Sequence, residues 1–141
     1  MPRIDHLGIA VRDLRAAARL YELLGCRATA AEEVPQEGVR AVMLPLGESR
    51  IELLEATRPD SPVGRFLERR GGGLHHVALA VSDLAAVVVR LRAAGVRLVS
   101  DAIQVGAGGH RYVFLHPSAA GGVLIELIES GESTKGNERQ S

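Results

Sequence analysis

Residues 4–14, IDHLGIAVRDL, align with residues 74–84, LHHVALAVSDL, at an offset of 70. His6 meets His76, Ala10 meets Ala80, Val11 meets Val81, Asp13 meets Asp83 and Leu14 meets Leu84; Gly25 and Arg27 then meet Gly95 and Arg97. A period of half the chain is an internal duplication, not a short-period solenoid. Each copy begins with an apolar strand, 4–11 and 74–81. A helix follows, opened by Asp13 or Asp83, whose carboxylate accepts orphan amides of the first turn. DLRAAARLYELLG and DLAAVVVRLRAAG are rich in good helix formers and end at Gly25 and Gly95, residues that suit a helix stop. Further on, VRAVMLPL and RIELLEA flank GES, while HRYVFLHP and GGVLIELIE flank SAAGG. Apolar and β-branched runs bounded by Gly and Pro read as strands. The expected fold class is α+β, two tandem βαβββ modules over 3–56 and 74–129, making a single domain of 1–129. The joint, 57–73, contains PVGRFLERR, which is compatible with a short helix. Residues 130–141 are polar and without periodicity and read as a disordered tail.

Strand alternation sorts the side chains into faces. Leu7, Ile9 and Val11 share one face of the first strand, and His6, Gly8 and Ala10 share the other. Val77, Leu79 and Val81 against His76, Ala78 and Ala80 repeat the division. The large apolar faces suit packing on helices. Each small face carries one histidine, and a floor of Gly and Ala leaves the open volume that a ligand cavity needs. His75 falls on the helix-packing face or at the strand entrance, which points to a structural or supporting role.

The last strand of each module repeats the theme. Glu52 lies with Arg50 and Leu54, and Glu126 with Leu124 and Ile128. A carboxylate in the middle of an apolar strand is costly to bury unless it is paired or binds metal. A pseudo-twofold relation between the modules brings His6, Glu52, His76 and Glu126 together. Two imidazoles and two carboxylates suit a divalent ion such as Mn2+, Co2+, Ni2+, Mg2+ or Zn2+. Four protein ligands on an octahedral ion leave two positions for water or substrate, which favours catalysis over a structural role. Taken singly, a strand histidine is more often a satisfied polar group and a strand glutamate a solvated one. Recurrence in register is what raises the metal reading above that.

Charge narrows the partners. Lys plus Arg and Asp plus Glu are 17 each, for a formal net charge of zero, which argues against nucleic acid or an anionic membrane. The lone cysteine, Cys26, allows no intrachain disulfide and fits a reducing compartment; just after a helix terminus, it packs rather than reacts. MPRIDHLGIA lacks a basic segment followed by a long apolar run, and no run approaches the ~18 residues of a membrane span, so a cytoplasmic location is expected. Aromatics are 3% with no Trp, too few for base-stacking platforms. His110 and His116 read as turn or strand-end residues. GGG at 71–73 and GAGG at 106–109 lack a P-loop lysine and read as flexible loops, or alternatively as a lid touching substrate. Arg65, Arg69 and Arg70 read as solvated surface, or alternatively as contacts to a phosphate-bearing substrate.

These residues resemble the vicinal oxygen chelate superfamily, which includes glyoxalase I, and within it the methylmalonyl-CoA epimerase family. The matching stretches are IDHLGIAVRDL, GVRAVMLPLGESRIELLEA, DSPVGRFLERRGGGLHHVALAVSDL, GAGGHRYVFLHP and GGVLIELIE. The resemblance implies a cupped, mostly antiparallel sheet with helices on its outer face. It also implies metal ligands at His6, Glu52, His76 and Glu126, with Co2+ first among the divalent ions, an acyl-CoA substrate and a homodimer. In some epimerases the Glu52 position is Gln and an extra Glu on the neighbouring strand serves as a base. That position is Ala41 here, so Glu52 becomes the candidate second base beside Glu126.

The implied chemistry removes the proton between a thioester and a carboxylate and returns it on the other face, through an enolate that a divalent ion stabilises. A free Glu, at pKa ~4.3, is acidic for a base near neutrality. Glyoxalase I is the nearest competing function, with a similar two-His, two-Glu set. A non-enzymatic binding protein of the same fold is the second alternative.

Overall fold

The computed structural model describes residues 1–131; the expected tail beyond Gly131 lies outside them. The described chain divides into two compact units, His6–His76 and a second made of Met1–Asp5 with Val77 onwards.

The first module runs β1 (Arg3–Ala10), α1 (Leu14–Leu23), β2 (Glu32–Val34), β3 (Val39–Leu46) and β4 (Ser49–Ala56). Its strands are ordered β2-β3-β4-β1. β2/β3 and β3/β4 are antiparallel, and β1/β4 is parallel. Asp13 caps α1 by accepting from the Ala16 amide at 3.1 Å. The helix stops before Gly25, whose φ of 97° is a left-handed value that glycine adopts without strain. Leu14 and Ala18 of α1 pack on Val42, Leu44 and Leu53, with Ile9, Val11, Tyr21 and Cys26 around them. The expected large apolar face of β1 therefore does pack on the helix, and Cys26 packs as expected.

The second module repeats this with β5 (Gly73–Val81), α3 (Leu84–Ala93), β6 (Gln104–Val105), β7 (Arg111–Leu115) and β8 (Ile125–Glu129), ordered β5-β8-β7-β6. β5/β8 is parallel, and β7/β8 and β6/β7 are antiparallel. Asp83 accepts from the Ala86 amide at 3.1 Å, and Leu84 and Val88 pack on Val81, Val113 and Leu127. Each module is thus βαβββ with two antiparallel pairings to one parallel. β2 and β6, at three and two residues, are too short to show an alternation in sequence.

The joint forms α2 (Pro62–Arg70), capped by the Ser61 hydroxyl, which accepts from the Gly64 amide at 3.0 Å. Gly71 ends α2 in a left-handed conformation, so this triglycine begins as a helix stop. GAGG at 106–109 folds into a tight turn, with the Gly109 amide donating to the Gly106 carbonyl at 3.0 Å. Among the described residues, no helix is long and apolar enough to cross a membrane.

Candidate metal centre

β1 and β4 run parallel with Gly8 opposite Glu52. His6 lies two residues before Gly8 on the same face, so its ring reaches the Glu52 carboxylate. His6 Nε2 is 3.4 Å from Glu52 Oε1, and His76 Nε2 is 3.5 Å from the same oxygen. The two Nε2 atoms are 3.3 Å apart, with the rings edge to face at 84°. The side chains are 2%, 3% and 12% exposed for His6, His76 and Glu52, so the three groups form a small buried triangle.

These separations are long for hydrogen bonds, which cluster near ~2.9 Å. They suit three ligand atoms on one cation, because donors ~2.1 Å from a tetrahedral centre lie ~3.4 Å apart, and ~3.0 Å at an octahedral one. The donor set of two imidazole nitrogens and a carboxylate oxygen therefore fits a divalent ion in both chemistry and spacing. In the metal-free chain burial pushes the Glu52 pKa up, but the two imidazoles, when protonated, outweigh it through long hydrogen bonds and their charges and hold the carboxyl at about 2. Glu52 is an anionic donor at any neutral pH.

Glu126 is buried in the second unit. It stands opposite Ala78 on parallel β5 and opposite Phe114 on antiparallel β7. Glu52 stands opposite Gly8 on parallel β1 and Met43 on antiparallel β3. The two carboxylates hold equivalent places in their modules.

One expectation is overturned. The small face does not leave open volume over Gly8. A Cβ there would overlap the His76 ring, at 2.6 Å from Nε2, and Ala10, Ala78 and Ala80 are buried. The missing side chain makes room for an imidazole.

His75 packs edge-on against Phe66 of α2, centroids 5.1 Å apart, as its helix-packing face requires. Its Nδ1 also lies 2.9 Å from His76 Nδ1, a contact the alternation rule gave no reason to expect. Arg65, Arg69 and Arg70 are exposed, and Arg70 stands over the Phe66 ring at 5.7 Å. His116 accepts from the Ser118 amide at 3.1 Å in a turn, and His110 immediately precedes β7; both are the turn or strand-end residues expected.

Residues 5–114 match the model of the glyoxalase/bleomycin resistance protein/dioxygenase superfamily. The human mitochondrial methylmalonyl-CoA epimerase is 39% identical over 130 residues, covering 91% of this chain and 74% of the relative. The Cereibacter sphaeroides ethylmalonyl-CoA/methylmalonyl-CoA epimerase is 40% identical over 128 residues, covering 89% and 96%. The chain belongs to the methylmalonyl-CoA epimerase family of that superfamily. A solved methylmalonyl-CoA epimerase in complex with methylmalonyl-CoA and ammonium superimposes with a TM-score of 0.88 at 40% identity, covering 93% of this chain and 96% of that one. The glyoxalase-like α+β fold is thereby established.

Within this epimerase family chain, Ala41 pairs with Leu54, and Met43 with Glu52. Ala41 therefore lies on the Glu52 face two pairs along the hairpin, and it is buried. Glu52 has no ionisable neighbour at that position.

Proposed function

We propose that this chain is a divalent-metal-dependent epimerase that interconverts (R)- and (S)-methylmalonyl-CoA. The observation that carries the reading is the buried His6–Glu52–His76 triangle, standing in a chain so similar to methylmalonyl-CoA epimerases. Glu126 completes the ligand set, an assignment supported by its register beside Ala78, which repeats that of Glu52 beside Gly8. A divalent ion held by these four residues would offset the negative charge that grows on the substrate as its α-proton leaves. Cobalt is the first expectation, and manganese, nickel, magnesium and zinc suit the same donors.

The chain supplies two proton carriers. Glu126 takes the proton from the carbon between the thioester and the carboxylate. Glu52, once it has left its partners and taken a proton from solvent, reprotonates the resulting planar enolate from the opposite face, and Glu126 passes the abstracted proton to solvent. Ala41 carries no ionisable group, which leaves this role on that face to Glu52. With its carboxyl held at about 2, Glu52 must shed its partners before it can accept a proton. The burial of both histidines keeps bulk water from the charge-bearing atoms, where electrostatic stabilisation is worth more. The substrate is an acyl-CoA, and the acting species is a homodimer.

The test is methylmalonyl-CoA in deuterium oxide, following α-proton exchange and epimer composition together. Both are expected to depend on added divalent ion, and Glu126→Gln is expected to lower net epimerisation at least a hundredfold. Full activity in chelator-treated protein, or in that variant, overturns the proposal. The Cereibacter relative favours a second substrate, ethylmalonyl-CoA, and one added methylene is worth only ~1–3 kcal/mol of discrimination. Glyoxalase I chemistry is checked in parallel with the glutathione hemithioacetal.

A further inference from the structure

We propose that His75 is a positioning residue that accepts the Nδ1–H of His76 and so turns an unprotonated Nε2 into the His6–Glu52 triangle; this rests on the metal reading above. The geometry distinguishes the two sides of the His76 ring. On the Nδ1 side, His75 Nδ1 lies at 2.9 Å, the length of a formed hydrogen bond. On the Nε2 side, the neighbours are at 3.3 and 3.5 Å, the spacing of ligand atoms sharing a cation. A neutral imidazole carries one N–H. Placed on Nδ1, it makes the short bond and leaves Nε2 as a donor to a metal ion. Placed on Nε2, it would point into the triangle and close it to a cation.

His75 is itself held for the task. Phe66 of α2 meets its ring edge-on at 5.1 Å and 84°, which fixes the plane in which Nδ1 presents its lone pair. Its own proton then sits on Nε2. An imidazole acceptor is neutral, so it orients His76 without adding a second negative charge beside Glu52. The duplication shows that the device belongs to one module, because the residue at the corresponding place before His6 is Asp5. A partner that fixes the tautomer and ring direction of a metal-binding histidine is worth ten- to a hundredfold in metal affinity.

The experiment uses the full chain with zinc, which is diamagnetic. Zinc affinity is measured by competition with a chelator for the unsubstituted protein, His75→Phe, His75→Asn and His76→Ala. Phe keeps the ring packing against Phe66 but cannot accept a hydrogen bond. Asn places a carbonyl oxygen near the former Nδ1. His75→Phe is expected to bind zinc ten- to a hundredfold more weakly, with His75→Asn within about threefold of the unsubstituted chain. In the zinc-loaded unsubstituted protein, two-bond proton–nitrogen NMR correlations are expected to show His76 protonated at Nδ1. Zinc affinity unchanged in His75→Phe, or a loaded His76 protonated at Nε2, overturns the positioning role while leaving the metal centre standing. An unsubstituted chain that holds zinc no better than His76→Ala overturns the metal reading, and this inference with it.

Discussion

Gly8 is small because His76 needs the space. The residue is not required for its backbone, since it is absent from the left-handed positions, which include Gly25 and Gly71. A Cβ would fall within 2.6 Å of His76 Nε2. The imidazole is a rotatable side chain, so Gly8→Ala is expected to fold, at a cost of about 1–3 kcal/mol for the crowding. The ring must swing away to fit, which breaks the triangle with His6 and Glu52. Zinc affinity is therefore expected to fall more than tenfold while the melting temperature drops by only several degrees. Zinc titration and thermal unfolding check the two halves, and unchanged affinity would show that the ring is not placed by Gly8. The sequence made the two site histidines legible through their shared register. It did not reveal what the glycine was for, because a small face looks alike whether it floors a cavity or receives a ring.

A repeated tie between strand and helix appears at the scale of elements. β1 and β4 are parallel, so the end of β4 arrives where α1 begins. Glu55 uses this position to accept the Leu14 amide at 2.8 Å, while Arg40 approaches its other oxygen at 3.4 Å. In the second module Glu129 accepts the Leu84 amide at 3.1 Å and meets Arg111 at 3.1 Å. Each helix thus has one orphan amide satisfied by its Asp cap and another by a carboxylate from the last strand, with both negative groups at the positive end of the helix. Glu55→Ala and Glu129→Ala are each expected to cost about 1–2 kcal/mol, measured by urea unfolding, with zinc affinity unchanged. A loss of zinc binding in either variant would mean that the tie holds the metal residues rather than the helix. Both glutamates stand three residues beyond the site glutamates, in ELLE and ELIE. That second repetition was visible in the sequence, but alternation put these residues on the face opposite the site and gave them no role.

For the whole molecule, the duplication carried most of what could be read beforehand: the βαβββ order, the capping aspartates and the glycine stops follow from laying one half over the other. What it could not carry were the short strands β2 and β6, and His75, whose ring reaches across the alternation to His76. The balance of 17 acidic and 17 basic residues leaves little net self-repulsion at neutral pH, so acid sensitivity falls to individual carboxylates with displaced titrations. Glu52 is the clearest, at about 2 in the folded chain against an ordinary value of 4.5. Because the folded value is the lower one, the unfolded chain takes up the proton first as pH drops. The stabilisation is complete above pH ~4.5 and drains away as pH falls towards ~2, and a shift of this size corresponds to about 3 kcal/mol. Glu52→Gln removes the titration while keeping the shape. Metal-free full-length protein and the variant are therefore expected to differ most in urea midpoint near pH ~5 and above, and to converge only as pH falls below ~2. Parallel profiles across that range would show that the two imidazoles do not hold the Glu52 carboxylate, and the donor triangle would lose its electrostatic basis.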